Sequence, residues 1–244
     1  MYANEYGKMY NFEDKYWWFL GRKSVIRSII NILYKGREGL KILDVGCGTG
    51  SIMNMLAEYG DVLGADLSDT ALEFCRKRGI NKLLKTSADD LKLESESYDL
   101  ITAFDILEHL EDDTKTLKEF HRVCRTGGHI LATVPSYNFL WSEHDRILGH
   151  KRRYLRKQLR RRITSAGFRI KKISYFITFL MPAIAFFRIF QKWLKKKGGT
   201  ETDYIMPPVF LNNVFIFLLL IESIFIKYID FPFGVSIVCL AEKE

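Results

Sequence analysis

Short apolar runs alternate with amphipathic stretches along most of the chain. Lys41–Gly46 (KILDVG), Asp61–Leu67 (DVLGADL), Lys82–Thr86, Tyr98–Leu107 (YDLITAFDIL) and His129–Pro135 (HILATVP) are short and largely apolar. That is the mark of strands buried in a sheet. Between them Ser51–Tyr59, Asp69–Arg78 and Asp113–Cys124 space their apolar residues at helical intervals, and Gly127 and Gly128 close the last of these. Upstream, Arg22–Tyr34 sets Val25, Ile26, Ile29, Ile30 and Leu33 on one helical face, whereas residues 1–20 read as an aromatic, loop-like cap ending in YWWFL. After Pro135 the rhythm changes: Arg156–Ala166 reads as a helix, Gly167–Phe176 as a sixth strand and Phe233–Lys243 as a last strand. Strands separated by helices imply right-handed crossovers. The expected fold class is therefore α/β, a doubly wound and mostly parallel seven-stranded sheet. Residues 1–36 would form an N-terminal cap and helix, and residues 37–244 the main domain.

A helical insertion, residues 181–230, separates the last two strands. It holds two apolar segments, Pro182–Leu194 and Val209–Tyr228, on either side of a KKKGG break. In the second, Asn212, Asn213, Glu222, Ser223 and Lys227 fall on one side of a helical wheel, yet Val214–Ile221 is apolar all round. Such a helix is buried in protein or in lipid. Bulky aromatics with lysine and arginine at the rim suit a membrane interface, and a dimer interface or extra core helices remain open. No uninterrupted apolar run reaches the roughly 18 residues of an obvious spanning helix.

Charge sharpens this picture. The formal net charge is +8, but residues 146–200 hold 17 Lys and Arg and no acid, leaving 20 basic and 29 acidic residues elsewhere. So lopsided a segment suggests a face that meets a phosphate, a polyanion or an anionic membrane. Cys47, Cys75, Cys124 and Cys239 show no CxxC or zinc spacing. A reducing compartment and no metal site are expected. The N-terminus lacks the basic start and apolar run of a leader, which points to the cytoplasm, with peripheral attachment to the inner face of the membrane as an extension.

The strongest motif is ILDVGCGTG, Ile42–Gly50. A buried strand runs into a turn with glycine at 46, 48 and 50, and free N–H groups open the helix that follows. The GxGxG spacing departs from the GxGxxG of dinucleotide enzymes. Asp66 closes the next strand, where an acid could accept ribose hydroxyls.

These residues resemble the class I S-adenosylmethionine-dependent methyltransferases, over roughly Leu40–Pro135 and more loosely from Phe168 onward. DVGCGTG matches the family's first motif, Ala65–Ser68 (ADLS) its second, Thr86–Leu91 (TSADDL) the adenine-contacting segment and Tyr98–Leu110 the fourth. The resemblance implies S-adenosylmethionine as cofactor and an antiparallel final strand. It implies cofactor contacts from Asp44, Gly46, Cys47, Gly48, Thr49, Gly50, Asp66, Leu67, Ser87, Ala88, Asp89, Phe104 and Asp105. Family members often carry Asp where this chain has Ser87, so the adenine contact could shift to Asp89 or to backbone amides.

Methyl transfer is an in-line displacement that an enzyme helps mainly by positioning, and a hydroxyl acceptor gains from a base. His144 and His150 follow strand five, with Asp145 and Tyr154 close by; either histidine is a candidate base. Arg152, Arg153 and His109 are candidate acceptor contacts, since guanidinium can fork onto phosphate or carboxylate. The expected reaction is methylation, at oxygen, of a lipid-linked, isoprenoid or phosphorylated small-molecule acceptor. An RNA or DNA methyltransferase is disfavoured because the chain reads AFDI after strand four, without the Asn/Asp-Pro-Pro-aromatic motif. A non-catalytic, cofactor-binding membrane adaptor is the other alternative.

Overall fold

The computed structural model describes residues 3–193 and 206–244. Helices α1 (Ala3–Phe12) and α2 (Trp17–Tyr34) precede strand β1 (Leu40–Val45). There follow α3 (Met53–Leu56), β2 (Gly60–Asp66), α4 (Asp69–Lys77), β3 (Leu83–Lys85), β4 (Tyr98–Phe104), α5 (Asp113–Val123) and β5 (Cys124–Pro135). The second half comprises α6 (Glu143–Leu148), α7 (Arg156–Ser165), β6 (Phe168–Phe176), α8 (Met181–Trp193), α9 (Val209–Phe225) and β7 (Ser236–Lys243).

The strands form one seven-stranded sheet in the order β3-β2-β1-β4-β5-β7-β6. The first five pair in parallel, and β7 runs antiparallel between β5 and β6. Ile42, Leu43, Leu100, Ile101, Ile130 and Leu131 are fully buried, as expected of central strands covered on both faces. The strand order reverses between β1 and β4. A crevice opens there beyond their carboxyl ends, where α/β sheets bind ligands.

The N-terminus departs from the loop-like cap expected from sequence. Residues 3–12 are helical, and α2 begins at Trp17 rather than Arg22. Local signals for this start are missing, because the Tyr16 side chain makes no capping bond. The cap comes from 195 residues away: Asn212 on α9 accepts the Trp17 backbone N–H at 3.0 Å and donates to the Lys15 carbonyl at 2.9 Å. An orphan helix N–H is thereby satisfied by tertiary structure.

The same arrangement turns α9 inside out relative to a soluble amphipathic helix. Asn212, Leu219, Glu222 and Ser223 are buried. The Glu222 carboxylate accepts the backbone N–H groups of Thr178 at 2.9 Å and Phe179 at 3.3 Å. That turn is strained, since the β-branched Ile177 has φ +58°. Leu219 packs so closely on Gly21 of α2 that a Cβ there would lie 2.1 Å from Leu219 Cδ1. The apolar side of α9 faces outward, with Phe210 76% and Phe217 60% exposed; Phe186 of α8 is 72% exposed. Among the described residues no helix is long and apolar enough to cross a membrane. Leu194 and the KKKGG break lie outside the described residues.

Candidate functional site

The β1–α3 turn, Gly46–Gly50, lies at the mouth of the crevice. All three of its glycines have positive φ, but they answer to different neighbours. A Cβ on Gly46 would lie 2.6 Å from Ile106 Cδ1, and one on Gly50 would lie 2.7 Å from Ile80 Cδ1. These two are required by packing. A Cβ on Gly48 would meet nothing nearer than Met9 Cε at 3.9 Å, so that part of the turn can face a ligand. The Gly48 N–H donates to Asp66 Oδ2 at 3.0 Å, and the Ser68 N–H donates to Oδ1 at 2.9 Å. Asp66 is thus fixed at the end of β2, with burial raising its carboxyl above the ordinary value despite these bonds. Leu67 beside it is 66% exposed, an apolar wall next to the acid.

Asp44 is buried under the turn and accepts from Thr102 Oγ1 at 2.7 Å. Burial raises its carboxyl to about 7, with Thr102 and the nearby Arg22 guanidinium pulling the other way. Arg22 enters from α2 and pairs with Asp105. Its Nε is buried with no partner among the described residues. Asp105 also accepts from Thr133 Oγ1 at 2.9 Å and holds φ +54°. Phe104 and Cys47 are buried beside this cluster, and the Cys47 thiol lies 3.9 Å from that of Cys75.

Helix α1 covers the turn. Thr49 is fully buried and its hydroxyl donates to Glu13. Arg78 pairs with Glu13 at 3.0 Å and donates to the Thr49 carbonyl at 2.9 Å. Tyr6 reaches Ser68 and Asp66, and burial together with the Asp66 charge pushes its hydroxyl up. Tyr6, Glu13, Arg22 and Arg78 were not singled out from sequence. No local motif marks them; only the packing of the N-terminal helices brings them to the crevice.

In the loop after β5, Asp145 and His150 form a dyad, His150 Nδ1 lying 2.9 Å from Asp145 Oδ1. The His150 ring meets that of His109 edge-on, with centroids 4.7 Å apart. Glu108 is fully buried, neither oxygen has a hydrogen-bond partner among the described residues, and its Oε1 lies 3.9 Å from His150 Nε2. Ligand atoms of Glu108, His109 and His150 all fall within 4.8 Å of one another. They could share a divalent ion, a grouping that sequence spacing did not suggest. Burial and the His150 ring hold His109 down to about 4; burial and the Arg188 cation do the same for His144. His150, one of the two candidate bases, is oriented by the Asp145 carboxylate.

Other expected site residues are engaged with protein partners. Tyr154 is 2% exposed, and its hydroxyl donates to Asp113 at 2.6 Å and to the Leu107 carbonyl at 3.1 Å. It braces the loop and is not available to an acceptor. Arg153 is buried and forks onto Asp145 through two bonds of 2.9 Å. Arg152 bonds the Glu111 carbonyl at 2.8 Å and pairs with Asp113 at 3.3 Å. Arg153 is spent on the protein, and Arg152, a quarter exposed, is tied to Glu111 and Asp113 rather than left free for an acceptor. Asp89 pairs with Lys115 at 2.8 Å and accepts from Ser87, while Ala88 is buried. The Asp89 carboxylate is thus turned toward solvent and a lysine. The basic segment is corrected in the same way. Lys151 pairs with Glu111, Arg162 with Asp113, Arg169 and Lys171 with Glu242, and Lys172 with Asp230. Acids from distant stretches neutralise much of a field that looked one-signed along the sequence.

Comparison with known proteins bears on this geometry. Residues 43–132 match the family model described as a methyltransferase domain. The chain is 30% identical over 145 residues to a ubiquinone biosynthesis O-methyltransferase of Vibrio atlanticus, covering 52% of this chain and 61% of that protein. It is 28% identical over 144 residues to the Aliivibrio fischeri protein of the same name, covering 52% and 62%. The chain therefore spans less than two thirds of the length of these relatives. A SAM-dependent methyltransferase structure from Thermotoga maritima superposes with a TM-score of 0.61 at 20% identity, covering 99% of this chain and 96% of that one. At that identity the likeness is one of fold.

Proposed function

We infer that this chain, whose residues 43–132 match a methyltransferase domain, is a class I S-adenosylmethionine-dependent methyltransferase that methylates an oxygen of an isoprenoid or otherwise lipid-linked small molecule. The cofactor fits the residues present. Arg22, with its unpartnered buried Nε, and the buried Asp44 carboxyl lie beside the Gly46–Gly50 turn; Arg22 complements the carboxylate of the methionine part, and its ammonium would draw Asp44 back to the ionised form that burial disfavours. Asp66 would accept the ribose hydroxyls, Leu67 would cover an adenine face, and the backbone of Ser87 and Ala88 would meet its edge. When bound, the cofactor supplies an electrophilic methyl group.

The chain's own part is to hold the acceptor and take its proton. Asp145 accepts the His150 Nδ1 proton, which fixes the tautomer and leaves Nε2 as the proton acceptor. That dyad, packed against His109 in the loop after β4, is the observation that carries the reading. The outward aromatic face of α8 and α9 supports a greasy acceptor. A 17-residue α9 spans roughly 26 Å, short of the ~30 Å apolar core of a bilayer. It would lie in a membrane interface on the inner face rather than cross it. A second copy of the chain is the competing occupant. The pairing of Lys151, Arg162, Arg169, Lys171 and Lys172 with acids weighs against a nucleic-acid substrate, which would need those charges free.

The test is incubation of the purified protein with radiolabelled S-adenosylmethionine and a lipid extract, with added RNA in parallel. Label is expected in the organic phase. Label in RNA alone would overturn the reading.

A further inference from the structure

Arg188 projects from α8 toward the loop that carries the dyad. Its guanidinium donates to the Leu140 carbonyl, and among the described residues its nearest carboxylate is Asp145 Oδ2, 3.8 Å away. Asp145 is already committed. It accepts two bonds from Arg153, one from His150 and the Ser142 N–H at 2.8 Å. Two guanidinium cations therefore share one carboxylate that only Arg153 grips. The Arg188 side chain is 15% exposed, so it is withdrawn from bulk water yet can still be reached. A buried cation without a close counter-ion is costly unless a ligand supplies the missing charge.

We propose that Arg188 is an anion subsite in the roof of the crevice, which receives a carboxylate or phosphate carried by the acceptor. The proposal rests on reading the crevice beside His150 as the acceptor site. It reassigns the role that Arg152 and Arg153 were expected to play, since Arg152 is tied to Asp113 and Arg153 is consumed by Asp145. Among the described residues, Arg188, which comes from the insertion between the last two strands, offers a ligand the cation that buried Arg153 does not. Burial and repulsion from Arg153 also draw Arg188 down to about 10, which agrees with a cation short of neutralisation. An anion bound to Arg188 would anchor one end of the acceptor beside His144 and the dyad, and the reacting hydroxyl would then be presented from a fixed distance.

Binding of benzoate, phenyl phosphate and phenol is measured by ligand-observed NMR, without cofactor, against the wild-type protein, Arg188→Gln and Arg188→Lys. Wild type should bind at least one of the two anions roughly ten-fold more tightly than phenol, the scale of a charge-assisted hydrogen bond. A preference for benzoate marks a carboxylate acceptor and a preference for phenyl phosphate a phosphorylated one. Arg188→Gln should erase the preference, and Arg188→Lys should keep part of it. Equal binding of phenol and both anions by wild type sinks the proposal without any variant, as does a preference that survives Arg188→Gln. Calorimetric binding of S-adenosylhomocysteine, run alongside, should be unchanged by either substitution. Its absence from wild type would count against the methyltransferase reading and leave the anion result standing separately.

Discussion

Replacing Glu222 by glutamine tests the inward orientation of α9. The carboxyl is fully buried, and burial raises it from 4.5 to about 7 against the backbone N–H groups of Ile177, Thr178 and Phe179. A folded carboxyl that holds its proton more tightly than the unfolded one contributes stability that is complete below 4.5. That contribution is lost as pH rises through about 7. Each pH unit between those values is worth about 1.4 kcal/mol, so ionised Glu222 costs the native state about 3 kcal/mol at alkaline pH. Glutamine keeps an oxygen for the Thr178 N–H and does not titrate. Its new amide N–H group has a cost that is the same at every pH. The stability of Glu222→Gln relative to wild type should therefore rise by about 3 kcal/mol between about pH 4 and about pH 8, whatever its sign at either end. Urea unfolding followed by circular dichroism across that range gives the difference, and other titrating groups cancel in it. A difference that stays flat within about 0.5 kcal/mol would show that Glu222 is solvated, and that α9 does not turn its polar side inward.

Three further outcomes follow from the site. Asp145→Asn leaves Arg153 buried without its charge partner and should cost about 3–5 kcal/mol, read by urea unfolding, while S-adenosylhomocysteine affinity holds. Gly48→Ala meets open space but a strained φ of +56°. It should lose only about 1–2 kcal/mol of stability, yet calorimetry should find cofactor binding weakened more than ten-fold, roughly. Arg22→Met should weaken S-adenosylhomocysteine binding by roughly 10- to 100-fold and leave adenosine, which has no carboxylate, almost untouched.

What could be read along the chain was periodic or local. Alternating apolar runs and amphipathic helices gave the parallel sheet and the glycine turn, because burial on both faces of a strand and a positive-φ turn are imposed residue by residue; the antiparallel direction of the last strand came only from the family resemblance. The α8–α9 insertion was legible as apolar, but its orientation was not. A helical wheel cannot say that Asn212 and Glu222 point inward to satisfy N–H groups of Trp17 and Thr178, which belong to distant segments. Helix α1 was missed for a like reason, since its lid contacts through Glu13 and Tyr6 exist only once Thr49 and Asp66 are brought beneath it. Charge was the most misleading signal. Arg152, Arg153 and Tyr154 looked free because their partners, Asp113 above all, lie about forty residues away in sequence. Asp145 is only eight residues from Arg153, but proximity along the chain did not reveal the buried fork. Sequence fixes which groups a protein possesses; the tertiary structure decides which of them are already taken. Coulomb and hydrogen-bond energies depend on distance through space, so Arg188 was left available and its neighbours were not.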